Sequence, residues 1–299
     1  MNTARPVREK ISGLPCWRGS VVAEPLHGGL SNESWKVTDA AGVHVVRFGK
    51  DYPFHHVDRA REAMTARAAH AAGFAPRVEY TAPGVMVSEF IAARTWDAAD
   101  VKANPARLGT LLRGFHERLP EHVSGTSVIF WPFHVIRDYA RTLQDGESPF
   151  LGELPRLLAL TQAFEQAQLP LPIVFGHHDL LPANFLDDGE RLWLIDFEYA
   201  GFGTAMFDLA GAAANAGMED AESATLLKAY FDENPGEPLW RAFDAMQGAA
   251  LVREAMWAMV SALHLAAPGA DYEAYTAENL TRLDAFLHRY AEKYGKPLA

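Results

Sequence analysis

One cysteine, Cys16, stands in a chain of 299 residues. A lone thiol can form no intrachain disulfide and cannot build a zinc–thiolate cluster, so a disulfide scaffold and a zinc ribbon are excluded and a reducing cytoplasm is expected. Basic residues are also in deficit: 27 Lys and Arg face 38 Asp and Glu, a formal net charge of −11. A surface that binds nucleic acid by releasing counterions from phosphates needs the opposite balance, whereas a small cationic ligand suits this one. No run approaches the eighteen or so consecutive apolar residues of a membrane span. Met1 to Gly19 carries Arg5, Arg8 and Lys10 with no apolar stretch after them, unlike a secretory signal. No HExxH motif accompanies the histidines, which argues against a catalytic zinc.

Hydrophobic residues make up 49% and charged residues 22%, so a packed core is expected, and the length favours a core divided between two lobes. The first lobe is read over 1–92. Ser34 to Val37 and Val43 to Phe48 flank the turn-rich Asp39-Ala40-Ala41-Gly42 and predict a hairpin. Val57 to Ala72 is rich in helix formers and stops at Gly73 with Pro76 beyond. Arg77 to Tyr80 and Val85 to Phe90 read as strands around Thr81-Ala82-Pro83-Gly84, giving ββαββ. The second lobe, 93–299, is mainly helical: Leu108, Leu111, Leu112 and Phe115 recur at helical spacing, with further helices over Pro132 to Leu143, Phe150 to Ala167, and from Thr204 onward. A short strand, Leu171 to Phe175, and a small hairpin, Phe185-Leu186 with Leu192 to Ile195, interrupt them.

The chemistry concentrates in His177-His178-Asp179-Leu180-Leu181-Pro182-Ala183-Asn184, followed by Leu194-Ile195-Asp196-Phe197-Glu198. Phosphoryl transfer needs a carboxylate that orients an attacking hydroxyl and takes its proton, and oxygen ligands that hold Mg²⁺ on the phosphates. A loop between two strands can aim Asp179 at the acceptor and turn Asn184 toward the metal, while Asp196 arrives from the neighbouring strand. Mg²⁺ prefers such oxygens and keeps several waters, so two protein ligands suffice. His177 is expected to pack beneath the loop, and Asp208 to accept backbone N–H bonds that fix its shape. Asp and Asn are also ordinary turn formers, and only the joint spacing separates the two readings.

Upstream, Gly28, Gly29, Ser31 and Asn32 lie in a turn before a strand, where backbone N–H groups can approach nucleotide phosphates without a Cβ in the way. Arg47, with Lys50 as rival, is the candidate phosphate-binding cation on the next strand, and Glu62 the carboxylate that holds it.

These residues resemble the choline and ethanolamine kinase group within the aminoglycoside phosphotransferase and protein-kinase-like superfamily. The landmarks are Gly28-Gly29-Leu30-Ser31-Asn32, Arg47, Glu62, Gly73-Phe74-Ala75-Pro76, Glu89-Phe90-Ile91, the His177 to Asn184 loop, Ile195 to Tyr199, and Phe207-Asp208-Leu209-Ala210. The resemblance implies a two-lobed α+β fold that binds ATP and Mg²⁺ between the lobes. It also implies Asp179 as base, Asn184 and Asp196 as metal ligands, Arg47 with Glu62 on the phosphates, and Glu89, Phe90 and Ile91 as the adenine-side hinge. A protein kinase fits less well, since no Asp-Phe-Gly stands at Asp196 and no Ala-Pro-Glu follows.

Tyr199, Glu254, Trp257, Asp271 and Tyr272 are the candidates for the acceptor pocket, because aromatic faces and carboxylates attract an ammonium group. Choline kinases of the eukaryotic type carry a second tryptophan where this chain has Glu254. That departure leaves choline, ethanolamine, another amino alcohol, thiamine or an aminoglycoside open as acceptor, and a nucleotide-binding module without catalysis stays open as the other class.

Overall fold

The structure is a computed structural model that describes residues 4–26, 33–125, 128–265 and 271–296. A short helix, α1 (Ala4–Ser12), precedes three strands, β1 (Val22–Leu26), β2 (Glu33–Thr38) and β3 (Val43–Phe48). Helix α2 (Arg59–Ala71) follows, then β4 (Val78–Ala82) and β5 (Val85–Glu89). Together the strands form one antiparallel sheet in the order β1-β2-β3-β5-β4.

Strand alternation sorts this sheet into two faces. Trp35 pairs with Val46, Val37 with His44, and Val46 with Val87. Directly opposed residues share a face, so these build one apolar side, closed by Ile11 of α1. Cys16 is half-buried at its margin. Arg47 pairs with Ser34 and Met86 and lies on the other face.

Two expectations need correction here. The order is a helix and three strands before α2 rather than two strands, because β1 contains Pro25 and is largely exposed, an edge strand with no buried alternation to read. Thr81 and Ala82 belong to β4, so the turn is the Pro83-Gly84 pair, with Gly84 at φ 71.

Between β3 and α2 a one-turn 3₁₀ helix, Pro53–His55, carries His55 into the interior at 2% exposure. The Asp58 side chain caps α2 by accepting from the Arg61 amide, and Gly73, at φ 87, follows its end. The buried side of α2 joins the larger hydrophobic core rather than that of the sheet.

The rest is α-helical with small sheets inserted: β6 (Arg94–Thr95), α3 (Ala98–Ala103), α4 (Pro105–Arg118), α5 (Pro132–Asp145), α6 (Leu154–Gln166), β7 (Ile173–Gly176), β8 (Phe185–Asp187), β9 (Leu192–Leu194), β10 (Gly201–Thr204), α7 (Ala205–Ala216), α8 (Asp220–Phe231), α9 (Glu237–His264) and α10 (Tyr272–Tyr294). Helix α9 is buried along most of its length, against α5, α6, α7 and α10. Its apolar residues are spread around the circumference, as a central helix requires, with the charged Asp244 and Arg253 buried among them. Gly248 makes this possible, since a Cβ there would stand 2.4 Å from the Phe164 ring. Strands β10 and β7 pair antiparallel, β6, β8 and β9 form a second small sheet, and the segments after β7 and β9 meet between them. Among the described residues no helix is long and apolar enough to cross a membrane.

Candidate active site

The loop leaving β7 is fixed from below by one buried carboxylate. Asp208, near the start of α7 and 1% exposed, accepts the His177 amide at 2.7 Å and the His178 amide at 2.6 Å. It also pairs with Nε2 of His116 at 2.8 Å. Burial would raise its pKa, but the His116 hydrogen bond and the neighbouring histidines win and hold it well below the usual carboxylate range. His177 is fully buried: its Nδ1 accepts the Asp179 amide at 3.3 Å and its Nε2 reaches the Ile195 carbonyl at 2.9 Å.

His178, at φ 63, makes the turn that presents Asp179. Its ring stacks on Phe130 at 4.5 Å, and Gly176 and Gly203 make room for it. A Cβ on either glycine would stand within 3 Å of the imidazole.

Asp179 and Asn184 are bound to each other through the backbone. The Asn184 side-chain amide donates to the Asp179 carbonyl at 2.7 Å, and the Asn184 carbonyl accepts the Ile195 amide at 3.1 Å. With its nitrogen so placed, the Asn184 side-chain oxygen is the atom of this residue that could hold a metal. Asp196 follows β9 at φ 68. The carboxyl of Asp179 is pushed well above its ordinary pKa by burial, with Arg253 opposing and Glu254, Asp196 and Glu198 reinforcing.

Across from this loop, Arg47 donates to Asp196 at 2.6 Å and contacts Glu62. Arg59 extends the network, bonding Glu62 at 2.7 Å and Glu198 at 2.8 Å. Arg61 donates to the Glu198 carbonyl at 2.9 Å. Helix α2 is therefore tied to the Asp196 segment by two arginines. Lys50, the rival to Arg47, stands over the Tyr52 ring at 5.6 Å. A cavity of about 680 Å³ opens beside Arg47 on the inner face of the sheet, lined also by Lys50, Arg67 and Met86.

Glu89 closes β5, its amide bonded to the Arg77 carbonyl, and the Phe90 amide bonds the Val43 carbonyl, so the segment leading to Ile91 leaves the sheet from the end of an interior strand. Gly28, Gly29, Ser31 and Asn32 lie outside the described residues.

The acceptor candidates come together, but as packed core. Trp257 donates to the Tyr199 hydroxyl at 2.8 Å and meets the Tyr272 ring edge-on at 6.1 Å. Glu254 accepts from the Tyr275 hydroxyl at 2.8 Å and from Arg253 at 3.0 Å. Asp271 caps α10, accepting the Ala274 amide at 2.9 Å, which gives that exposed carboxylate a local structural use.

Arg253, Glu198, Arg59 and His55 were not singled out from the sequence. Arg253 could have been, since a charged residue within a helix apolar on all sides needs a reason. Glu198 lies inside the recognised motif. His55, isolated in a loop, gives no signal.

Comparison with known proteins follows this geometry. The model of the phosphotransferase enzyme family matches residues 22–245. The chain belongs to that family. This phosphotransferase is 27% identical over 205 residues to a probable ethanolamine kinase of Arabidopsis thaliana, covering 62% of this chain and 54% of that protein. It thus spans about half the length of the curated relatives it matches. Among solved structures, a choline/ethanolamine kinase family protein from Mesorhizobium loti superposes with a TM-score of 0.77 at 27% identity, covering 98% of this chain and 99% of that one. The choline kinase LicA from Streptococcus pneumoniae gives 0.77 at 21% identity over 97% and 100% of the two chains. The phosphotransferase therefore has the two-part architecture of these kinases, an antiparallel sheet region followed by a larger helical region, as the resemblance implied.

Proposed function

We propose that this phosphotransferase transfers the γ-phosphoryl group of ATP to the hydroxyl of a small cationic amino alcohol. One observation carries the reading: Asp179, Asn184 and Asp196 converge on one side of a cleft, and the Arg47–Glu62 pair bonds to Asp196 from the other. The lobe over 1–92 supplies the nucleotide side, with Glu89 to Ile91 at the adenine and the Gly28 to Asn32 turn at the phosphates. The lobe over 93–299 supplies the base and the acceptor pocket.

In this mechanism Asp179 orients the acceptor hydroxyl and takes its proton as the oxygen bonds to the γ-phosphorus and the bridging oxygen leaves with ADP. Its burial strengthens it as a base once ionised. Arg47, held by Glu62, places positive charge against the phosphate oxygens. Asn184 and Asp196 fit Mg²⁺, since both offer hard oxygen ligands, and the ion when bound would neutralise phosphate charge. The acidic chain supports a cationic acceptor, and the cytoplasm, where ATP is at hand, is the fitting compartment.

The test is ATP consumption by the purified protein with Mg²⁺ and, in turn, ethanolamine, choline, thiamine and an aminoglycoside, with Asp179→Asn as control. Turnover that depends on an amino alcohol and disappears in the variant is expected. Turnover only with an aminoglycoside would move the acceptor class, and ATP binding without turnover of any acceptor would leave a non-catalytic nucleotide binder.

A further inference from the structure

Two kinds of ammonium are held by different chemistry. A quaternary ammonium has no N–H to donate and rests against the faces of aromatic rings, whereas an ammonium that keeps hydrogens needs oxygen acceptors. The residues beside Asp179 favour the second kind.

The face of Tyr199 is already taken by a cation of the protein itself. The Arg253 guanidinium carbon stands 4.4 Å from that ring centroid, and Arg253 is 4% exposed. Trp257 is stacked by His55, with ring centroids 5.1 Å apart and planes at 21°. His55 cannot swing away freely, being bonded to Ser261 at 2.9 Å and to the Tyr139 hydroxyl at 3.3 Å. With Tyr199 at 4%, Trp257 at 7% and Tyr272 at 7% exposure, these three rings present no open face to a trimethylammonium group.

Oxygen acceptors, in contrast, remain. Glu254 borders a cavity of about 20 Å³ together with Asp179, Asn215 and Arg253. An ionised carboxylate has about four lone-pair positions, and Tyr275 and Arg253 use two of those on Glu254. Asp179 and Glu254 both face Arg253 at this corner, so an ammonium entering it would meet carboxylate oxygens. Arg253 also points to a ligand on its own account: its Nε and Nη2 are buried and meet no hydrogen-bond acceptor among the described residues. Charged donors in that state are costly unless an oxygen of the substrate completes them. Its Nη1 lies 3.9 Å from Asp179 Oδ1, so a substrate hydroxyl that completes Arg253 would stand beside that carboxylate.

We infer that Arg253 occupies the position in which a quaternary ammonium would stack, and that the pocket selects amino alcohols retaining an N–H over trimethylated ones. This rests on the amino-alcohol kinase reading above. The experiment is a methylation series at saturating ATP: ethanolamine, N-methylethanolamine, N,N-dimethylethanolamine and choline. The expected kcat/KM falls about tenfold or more across the series, with the largest step at the loss of the last N–H. Arg253→Met, which removes the cation and keeps a flexible stem, should narrow the ethanolamine-to-choline ratio by uncovering Tyr199, and Glu254→Gln should raise KM for ethanolamine. Where either variant does not fold, the series on the unaltered protein still decides. Choline used as well as or better than ethanolamine overturns the inference and leaves the kinase reading intact. Turnover of none of the four overturns that reading and the inference with it.

Discussion

Arg47 and Asp196, 149 residues apart in the chain, meet at 2.6 Å across the cleft. Glu62 holds the same guanidinium from α2, so one arginine joins the sheet, the helix and the Asp196 segment. Arg47→Met should lower kcat/KM for ATP by about a hundredfold, the size of one lost electrostatic contact to a reacting phosphate. Arg47→Lys should recover only part, because an ammonium cannot bridge two carboxylates with a planar fork. Steady-state kinetics with ATP varied at fixed acceptor would show it, and an unchanged ATP dependence in Arg47→Met would instead point to Lys50.

Asp179→Asn keeps the shape of the loop and removes the base. Turnover should fall by about a thousandfold, within the range of a lost general base, while nucleotide binding stays within a few-fold. Calorimetric titration with an ATP analogue beside a turnover assay separates the two. A variant with native turnover would take Asp179 out of the mechanism.

Asp208 collects two amides and His116 in a fully buried position. In Asp208→Asn one side-chain position becomes an N–H facing another donor, and the carboxylate charge that the His177 and His178 amides donate to is gone. A loss of about 3 kcal/mol is expected from breaking such a buried group. Urea denaturation measures it. A midpoint shift of a few tenths of a molar or less would mean that the loop is held by other contacts.

Two buried histidines make stability depend on pH. Burial lowers the pKa of His55 to about 2 and that of His178 to about 4, against 6.5 for an ordinary histidine. Below pH 6.5 the unfolded chain takes up protons that the folded chain refuses, so stability is full above that pH and is lost as pH falls toward the folded values. Each contributes a loss of about 2 kcal/mol by pH 5. Melting temperatures between pH 7.5 and 5 should decline, and His55→Phe, which cannot titrate, should flatten the slope. An equal slope in that variant would show that His55 titrates normally.

Gly248→Ala should destabilise the fold by about 1–3 kcal/mol through overpacking, because its Cβ would press on the Phe164 and Phe286 rings. Thermal unfolding tests this directly. A neutral result would require the aromatic cluster to shift without cost.

Elements with strong local signals were legible in the sequence. Val43 to Phe48 is a strand over those very residues, and the Asp58 cap and Gly73 bound α2 within two residues of the expected span. The Asp179, Asn184 and Asp196 set could be read because the loop chemistry compresses it into eighteen residues with fixed spacing. Strand β1 was not legible, since an exposed edge strand has no buried alternation. The role of the aromatic residues was only half visible. Tyr199, Trp257 and Tyr272 do cluster, but whether their faces are open to a ligand depends on Arg253 and on His55, which arrives from a loop about two hundred residues earlier.

The sequence by itself determined the spacing of Asp179, Asn184 and Asp196, the helical and extended segments around them, and the acidic net charge, because these depend on local spacing and on sums over residues. Only the tertiary structure decided that Arg47 rather than Lys50 meets Asp196 and Glu62, that Asp271 caps a helix, and that the buried Arg253 covers the Tyr199 ring. Those outcomes turn on which side chains reach the same few ångströms after the chain has folded back on itself.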